Sequence, residues 1–441
     1  MLIKSPIWAT LIMFISACLG PEVSNASTSV VQTVTLTPSL EPIPLPLPTL
    51  TPLLPSPTVT VATEVYPQSP MERLTFTAAT DVGGMFPDTI ISLVNSDGTD
   101  IEFPNLFEPF RYTGGVSGKN LAWSPDGRFL AFDGADKMID CGILNTDCAS
   151  TNYGTFLADY SQGIIIQRIE STLTNSSWSP DSQTLVVAVE EKPSSLDEVR
   201  SLAGDLFLLK IENSQLTQLT NHASSDLYPA WSPDGQWIAF IRFNPDIPGC
   251  NPLPLIVIGN VECNQGSLYI IHPNGSGLRF LFEPIFIYNN VEGRIIDNAP
   301  VWSPDSKWLT VLVSNEKDFQ DYPDIATISV ETGELRLIVN DSGADFSPAW
   351  SPDGQHLAFV SNRNGNEEIY IIDSGGQNIS NLTLKSTNDY YPVWSPSGTH
   401  IAFISDYKLQ IMNADGRDKV LVDDEYQIVL SKPSWLPITQ P

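Results

Sequence analysis

The stretch that decides the fold is Trp231-Ser-Pro-Asp-Gly235, which is followed closely by the apolar run Ile238-Ala-Phe-Ile241. Within it, proline presets φ for a turn, aspartate can bond back to the backbone, and glycine accepts a positive φ. These residues predict a tight hairpin between two strands. The tryptophan before the turn is a large apolar residue, and we expect it to pack between neighbouring repeats.

The same unit recurs along the chain. After each hairpin the sequence continues with a second strand, a variable loop, a third strand, a glycine-containing turn and a fourth short strand. Four antiparallel strands per repeat are typical of one blade of a β-propeller. Complete copies begin at Trp123, Trp178, Trp231, Trp302, Trp350 and Trp394.

The two ends of the chain predict one further blade. Leu74-Thr-Phe-Thr-Ala78 and Ile90-Ile-Ser-Leu-Val-Asn95 belong to a unit that lacks its tryptophan strand, and Pro433-Ser-Trp435 supplies that strand. A blade made from both termini closes the ring without an open edge. We therefore predict an all-β fold over residues 71–441, a seven-bladed propeller of four-stranded blades, with six blades as the alternative.

These units resemble the TolB-like propeller repeat. They read Pro-x-Trp-Ser-Pro-Asp-Gly, then Ile-Ala-Phe, Ile-Tyr and Asp-Gly, over roughly residues 71 to 437. The resemblance implies the fold but not one function, because similar propellers occur in the periplasmic TolB protein, which binds a peptidoglycan-associated lipoprotein, in sugar lyases and in peptidases. TolB carries a separate N-terminal domain, which this sequence replaces with a different region.

That N-terminal region has the features of an export signal. Met1-Leu-Ile-Lys4 leads into an apolar run over 7–15 that is too short for a permanent membrane span, so we interpret residues 1–17 as a signal peptide. Ile15-Ser-Ala-Cys18 resembles the lipobox of bacterial lipoproteins, which implies that Cys18 is acylated and becomes the mature N-terminus. An ordinary cleavage site with an incidental cysteine is the alternative.

Residues 18–70 are rich in proline and threonine. Eleven prolines lie between Leu19 and Pro70, and no glycine lies between Pro21 and Pro70. Because proline fixes φ and removes backbone donors, we predict a disordered, extended stalk. The sequence thus predicts an exported cell-envelope protein that faces the periplasm or the exterior and touches the membrane through a lipid anchor only.

The charge of the chain limits its partners. It has 51 acidic and 22 basic residues, a formal net charge of -29. Such a chain repels phosphate backbones, so we expect no nucleic-acid partner. A protein or peptide with a basic or polar surface fits better, although the excess of acid also serves simply to keep an exported protein soluble. We expect a monomer and no cofactor.

A second pattern precedes the tryptophan in four repeats. It reads Asp226-Leu-Tyr-Pro229, Asp297-Asn-Ala-Pro300, Asp345-Phe-Ser-Pro348 and Asp389-Tyr-Tyr-Pro392. These connections between blades share one face of a propeller with the loops between second and third strands, and we expect them at the channel mouth. The predicted ligand-binding residues are Asp226, Tyr228, Asp297, Asn298, Asp345, Phe346, Asp389, Tyr390, Tyr391 and His222.

Acidic and aromatic side chains together suit a basic peptide or a cationic ligand, through charge attraction and cation-π contact. The alternative is that each aspartate only bonds the amides of its own loop. Two second-to-third loops also hold the cysteine pairs Cys141 with Cys148 and Cys250 with Cys263. In an exported chain these pairs predict two local disulfides, and neither has a histidine at zinc spacing.

The four histidines do not form a predicted metal site. His356 and His400 occupy the repeat position of Trp237 and Trp308, His272 begins an outer turn, and only His222 is near the expected mouth. Motifs of serine hydrolases, zinc proteases, P-loops and dinucleotide-binding proteins are also missing from the sequence.

We therefore predict a binding scaffold for a protein, a peptide or an envelope polymer. Two alternatives stay open: a carbohydrate-active or peptidase-like enzyme that uses the rim carboxylates, and a propeller whose aspartates bind a divalent cation.

Overall fold

The computed structural model describes residues 71–79, 88–101, 112–113, 119–135, 153–169, 176–190, 204–243, 265–286, 299–314, 323–340, 343–384, 387–422, 428–429 and 431–438. All of them belong to the compact unit Tyr66–Pro441. Their regular secondary structure consists of β-strands. In these ranges we find no helix with the length and apolarity needed to cross a bilayer. The predicted signal peptide, the stalk, Cys18 and the four loop cysteines lie outside the described residues.

Seven antiparallel sheets form the fold, and we number them as blades in chain order. Blade 1 contains β1 (Arg73–Ala79), β2 (Asp88–Asn95) and β3 (Tyr112–Thr113). Blade 2 contains β4 (Lys119–Trp123), β5 (Phe129–Ala135), β6 (Tyr153–Asp159) and β7 (Ile164–Ile169). Blade 3 contains β8 (Ser177–Trp178), β9 (Thr184–Glu190), β10 (Gly204–Lys210) and β11 (Gln215–Gln218). Blade 4 contains β12 (Ser225–Trp231), β13 (Ile238–Phe243), β14 (Gln265–Ile271) and β15 (Arg279–Phe286).

The remaining blades follow the same plan. Blade 5 contains β16 (Val301–Trp302), β17 (Trp308–Ser314), β18 (Pro323–Ser329) and β19 (Leu335–Val339). Blade 6 contains β20 (Asp345–Trp350), β21 (His356–Ser361), β22 (Glu368–Asp373) and β23 (Ser380–Asn381). Blade 7 contains β24 (Asp389–Trp394), β25 (His400–Ser405), β26 (Lys408–Asn413) and β27 (Val420–Leu421). The last segments are β28 (Ile428–Val429) and β29 (Ser434–Trp435).

The blades close into a ring, which confirms the prediction of seven. The first strands of successive blades contact one another in the cyclic order β29, β4, β8, β12, β16, β20, β24 and back to β29. Both C-terminal segments pair with β1, with Leu74 opposite Trp435 and Ala78 opposite Val429. The C-terminus therefore supplies the first strand of blade 1, and every first strand faces the centre of the ring.

The Ser-Pro-Asp-Gly hairpins are held by short-range hydrogen bonds. In blade 2, Ser124 Oγ donates to Asp126 Oδ1 over 2.5 Å and accepts from the backbone N–H of Phe129 over 2.9 Å. The Gly127 N–H donates to the Ser124 carbonyl, and Gly127 has a φ of 69°. The same bonds recur in blades 4 and 6. All partners lie within five residues, so the sequence alone specifies this turn.

The repeat tryptophans join each blade to the one before it. The indole N–H of Trp123 and that of Trp350 donate to the threonine hydroxyls of Thr75 and Thr310, in blades 1 and 5. The blades that hold alanine at the same register (Ala131, Ala239, Ala358 and Ala402) receive the next indole on a backbone carbonyl of the first strand instead. Trp231 is the exception, since its indole N–H donates to the Gly235 carbonyl of its own hairpin over 3.4 Å. Each of the other six indoles satisfies its polar group on the preceding blade while its rings pack between two blades.

The core consists of the second and third strands. Their apolar side chains pack from blade to blade in clusters that contain five fully buried phenylalanines, Phe132, Phe156, Phe240, Phe359 and Phe403. At the opposite, outer end of the blades, the turn glycine Gly416 has a φ of 84°, and a Cβ there would lie 3.0 Å from the Leu382 carbonyl oxygen of the preceding blade. Blade contacts therefore extend from the centre to the periphery.

Candidate functional site

One face of the ring carries the starts of the first strands and the connections between second and third strands. We call this face the rim. The predicted carboxylates Asp345 and Asp389 begin β20 and β24, Asp226 is the second residue of β12, and all three are 0% exposed. They lie beneath the surface of the rim, whereas we expected them to line the channel mouth, and their role in ligand binding stays a prediction. Asp297 and Asn298, which precede β16, lie outside the described residues.

Asp226 forms a two-point ion pair with Arg242 of the second strand. Arg242 Nε lies 2.6 Å from Asp226 Oδ1, and a terminal guanidinium nitrogen lies 2.8 Å from Oδ2. The guanidinium carbon also lies 4.7 Å from the centroid of the Tyr269 ring. Burial raises the pKa of the Asp226 carboxyl above its ordinary value, and the bonds from Arg242 offset only part of that shift. The aspartate therefore holds Arg242, which is 11% exposed, in a fixed position below the rim.

Blade 6 repeats this arrangement with a shifted arginine. A terminal guanidinium nitrogen of Arg363 lies 3.0 Å from Asp345 Oδ1, and Arg363 Nε donates to Ser361 Oγ over 2.8 Å. The guanidinium carbon lies 4.7 Å from the Tyr370 ring centroid. The two predicted roles of the aspartates were to bind a ligand or to bond the amides of their own loop. Neither describes these contacts, because Asp226 and Asp345 each pair with an arginine of the same blade. The chain has few basic residues, so the position of Arg242 directly after Ile238-Ala-Phe-Ile241 is a feature of the sequence from which this pairing could have been predicted.

The first strands bulge next to these aspartates. Tyr228, Ser347 and Tyr391 have φ values of 55°, 52° and 53°, and each stands three residues before its repeat tryptophan. The strand pairing shifts register at the same place in blades 4, 6 and 7. Left-handed backbone at a residue other than glycine is strained, and such bulges re-aim side chains beside functional sites. Three blades therefore share the same costly feature at the rim.

The predicted aromatic residues divide into buried and accessible ones. Phe346 and Tyr390 are buried, and the Tyr390 hydroxyl lies 3.4 Å from Glu367 Oε2. Tyr228 and Tyr391 are half-buried, and His222 is exposed. Sequence reasoning missed Tyr407, which is 54% exposed in the short connection between the second and third strands of blade 7. The accessible rim residues are thus Tyr228, Tyr391, Tyr407 and His222.

A further buried carboxylate accompanies Asp226. Asp205, the second residue of β10, is 6% exposed and accepts a hydrogen bond from Gln218 Nε2 over 2.9 Å. Its charge helps to raise the pKa of Asp226, after the larger effect of burial. Asp205 Oδ1 also accepts the backbone N–H of His222 over 3.3 Å, which fixes the segment that carries the exposed histidine. The sequence analysis did not single out Asp205, although a polar residue also starts the third strand of other blades.

The first strands also line a cavity at the centre of the ring. It has a volume of about 430 Å³ and is lined by Asn120, Ser176 and Lys432, among other residues of blades 1, 2, 3 and 7. Asn120 has a φ of 55°, so it is a fourth bulge residue, and its amide donates to Asp133 Oδ2 over 2.6 Å. The bulge thus places a polar side chain at the channel.

The other histidines have structural roles, as predicted from their repeat positions. The His272 ring stacks on Trp237 with centroids 3.7 Å apart, and His356 Nε2 lies 3.6 Å from Asp373 Oδ1. His400 Nδ1 lies 3.6 Å from Glu72 Oε2. Among the described residues, no three histidine, cysteine, aspartate or glutamate side chains are grouped as metal ligands.

The opposite face of the ring contains a larger cleft, between blades 5 and 6. Its volume is about 750 Å³, and it reaches from the two inner hairpins to the outer strand of blade 5. The side chains that line it include Asp305, Trp308, Thr327, Arg336, Trp350 and Asp353. The sequence analysis did not predict this cleft, and it contains none of the predicted rim residues.

Comparisons with known proteins support the fold. Residues 290–407 match the family model described as the TolB beta propeller domain. The chain is 28% identical over 176 residues to a TolB homolog of Chlorobium luteolum, across 40% of this chain and 33% of that protein. It is 24% identical over 224 residues to YuxL of Bacillus subtilis, described as an uncharacterized peptidase, across 43% of this chain and 30% of that protein.

The chain thus spans only about a third of the length of these two relatives. Among solved structures, the acylaminoacyl peptidase of Pyrococcus horikoshii superposes with a TM-score of 0.52 at 13% identity, over 80% of this chain and 50% of that one. At this identity the likeness shows the fold alone. The match over residues 290–407 and the TolB homolog support a TolB-like β-propeller, the resemblance that the repeat sequence predicted.

Proposed function

We propose that this chain is a binding scaffold of the cell envelope that holds a protein or peptide partner at its rim. The observation that carries the proposal is the repetition, in blades 4, 6 and 7, of a bulged first strand over a buried aspartate. Blade 2 repeats the bulge at Asn120, which donates to the buried Asp133. Left-handed backbone at four residues other than glycine on one face is costly to the fold.

The contact residues of this rim are Tyr228, Tyr391, Tyr407 and His222. Amphipathic aromatic side chains on a rigid scaffold give contact area at little cost in conformational entropy. Asp226 and Asp345 act through Arg242 and Arg363, which they hold beside the tyrosines Tyr269 and Tyr370. Asp389, Asp297 and Asn298 complete the proposed set at the corresponding positions of blades 7 and 5.

Partly exposed arginine beside aromatic rings changes the chemistry that the partner must have. A partner with both acidic and apolar groups fits this surface, as well as the basic or polar surface expected from the net charge of -29. Proteins of the Tol-Pal system are among the relatives, which supports a protein partner in the envelope over a small molecule.

Capture from cross-linked envelope extracts tests the proposal. The triple variant Tyr228→Ala, Tyr391→Ala, Tyr407→Ala should lose a partner that the unchanged protein captures, as identified by mass spectrometry. The matched control is Phe280→Ala, which removes an aromatic side chain that is 47% exposed on the outer strand of blade 4. Equal capture by the triple variant and the control would reject the rim as the binding site.

We further propose that Cys18 is the lipid attachment site and that the loop cysteines form the disulfides Cys141–Cys148 and Cys250–Cys263. Radiolabelled palmitate should enter the chain and should be absent from a Cys18→Ser variant. Peptide mapping without reductant should recover each cysteine pair as one cross-linked species. Recovery of four free thiols from freshly isolated protein would contradict the disulfides.

A further inference from the structure

The cleft between blades 5 and 6 exists because blade 5 departs from its repeat. Thr310 of the second strand lies opposite Thr327 of the third strand. At the register of Thr327 the other six blades hold a large aliphatic residue: Leu93, Leu157, Leu208, Ile270, Ile371 and Ile411. A threonine there is smaller and carries a hydroxyl, and it lines the cleft that the bulkier side chain would fill.

A second departure changes the surroundings of an aromatic side chain in the same cleft. Trp308 holds the repeat position of Trp237, whose ring is covered by the imidazole of His272 at 3.7 Å. Blade 5 has Ser329 where blade 4 has His272, so no ring covers Trp308 from this position. Arg336 lies over the Trp308 ring at 4.3 Å and is 54% exposed, which extends the indole with a planar hydrogen-bond donor.

Two ion pairs lie in or beside the cleft. Arg336 lies 3.4 Å from a carboxylate oxygen of Glu334, and Lys307 Nζ lies 3.5 Å from Asp305 Oδ2. Both pairs are exposed to solvent and therefore weak, so their groups can exchange partners for a ligand. With Asp353 added, the cleft has three acidic and two basic side chains, and this excess of one negative charge disfavours an anionic ligand. The cleft selects for groups that both donate and accept hydrogen bonds, as hydroxyls do.

The two aspartates of the cleft stay ionised. A hydrogen bond from Ser351 Oγ is the main cause that lowers the pKa of Asp353. Burial raises the pKa of Asp305, but hydrogen bonds from Ser303 and the backbone of Lys307 outweigh it and lower the pKa overall. Ionised carboxylates accept hydrogen bonds from hydroxyls, so both aspartates can bind a ligand that carries hydroxyl groups.

We propose that the cleft between blades 5 and 6 binds a neutral saccharide. Its volume of about 750 Å³ is within the range of small-ligand sites. A sugar ring packs against the Trp308 and Arg336 side chains that line the cleft, and its hydroxyls meet Asp305 and Asp353. This site lies on the face opposite the rim, so it does not depend on the protein partner proposed there.

The test titrates the full chain with cellotetraose and chitotetraose, followed by calorimetry and by tryptophan fluorescence. We expect saturable binding of at least one of them, with a change in emission because Trp308 lies in the cleft. The variant Thr327→Leu, which restores the residue type of the other blades, should fold with an unchanged or higher urea midpoint and bind at least about tenfold more weakly. Trp308→His, which places the residue of blades 6 and 7 there, should weaken binding similarly.

The control Tyr407→Ala changes the opposite face and should bind both saccharides as the unchanged protein does. Three results would overturn the proposal: no binding of either saccharide up to about 10 mM, equal binding by Thr327→Leu and Trp308→His, or binding confined to a polyanion such as tetragalacturonate. Saturable binding that both cleft variants weaken supports it, whether or not the rim variants capture a partner.

Discussion

Removal of the closing tryptophan should open the ring at one defined place. Trp435 is 7% exposed, and its indole N–H donates to the Val393 carbonyl of blade 7 over 3.1 Å. The same segment pairs with β1 of blade 1, where Thr75 Oγ1 donates to the Ser434 carbonyl over 2.8 Å and the Leu436 N–H donates to the Arg73 carbonyl over 2.7 Å. One short strand thus joins the first and last blades.

The loss can be worked from these contacts. Replacing a buried tryptophan by alanine costs about 3 to 5 kcal/mol in transfer and cavity free energy. The lost indole bond adds about 1 kcal/mol. We expect Trp435→Ala to lower the free energy of unfolding, measured by urea denaturation, by about 4 to 6 kcal/mol from these two contributions.

The matched control is Trp178→Ala. Trp178 is also 7% exposed and also donates to a backbone carbonyl of the preceding blade, that of Ala122, over 3.0 Å. Both variants should therefore lose a similar free energy. Only Trp435→Ala exposes the edge of β1, so only that variant should show fast amide exchange at Leu74 and Thr75 and self-association that grows with protein concentration.

The ring-closure reasoning would fail on either of two results. One is a loss below about 1 kcal/mol for Trp435→Ala. The other is a monomeric Trp435→Ala variant whose β1 amides remain as protected as those of Trp178→Ala.

Three further predictions concern buried charge, the blade contacts and pH. Asp226→Asn should lower the free energy of unfolding by about 3 to 5 kcal/mol because it leaves Arg242 buried without an anion. The double change Asp226→Leu, Arg242→Met should leave the free energy of unfolding nearly unchanged. Urea denaturation measures both, and a loss under about 0.5 kcal/mol for Asp226→Asn would contradict the ion pair. Gly416→Ala should destabilise the fold more than Gly365→Ala, since both glycines have positive φ but only Gly416 has a backbone oxygen 3.0 Å from an added Cβ. Equal urea midpoints for the two variants would show that the neighbouring blade moves to accommodate the methyl group. Ser351 lowers the pKa of Asp353, so the contribution of Asp353 to stability is present above the ordinary value of 3.8 and is lost as pH falls through the folded pKa. Ser351→Ala should raise the pKa of Asp353 in an NMR titration, and the difference in stability between this variant and the unchanged protein should become smaller at low pH. An Asp353 titration that does not move would refute this cause.

Asp226 should affect pH dependence with the opposite sign. Its folded pKa lies above the ordinary value, so the folded state binds a proton more readily than the unfolded chain there. Its contribution is therefore fully present below pH 3.8 and is lost as the pH rises through the folded pKa. The double variant that removes Asp226 should lack this part of the stability profile, which separates it from the hairpin aspartates.

The candidate site was predictable in position and not in chemistry. The repeat predicts where the aspartates before each tryptophan lie along the first strand, because the hairpin fixes where that strand ends; that they contribute to a binding site stays a prediction. That Asp226 and Asp345 are buried against arginines follows from the pairing of two strands with a bulge between them, and the bulge comes from no single residue type: it stands at Tyr228, Ser347 and Asn120.

By itself, the sequence determined the repeat, the blade count and the way the ring closes. The hairpin of each repeat is set by bonds between near neighbours, as from Ser124 to Asp126 and Phe129. Ring closure joins distant segments, β29 and β1, but the incomplete repeats at both ends of the sequence reveal it. Only the tertiary structure decided which charges are covered and where a cleft opens. Those outcomes depend on side chains from separate strands and blades, such as Thr327 and Asp353, whose distance is set by strand register and by the turn of one blade against the next.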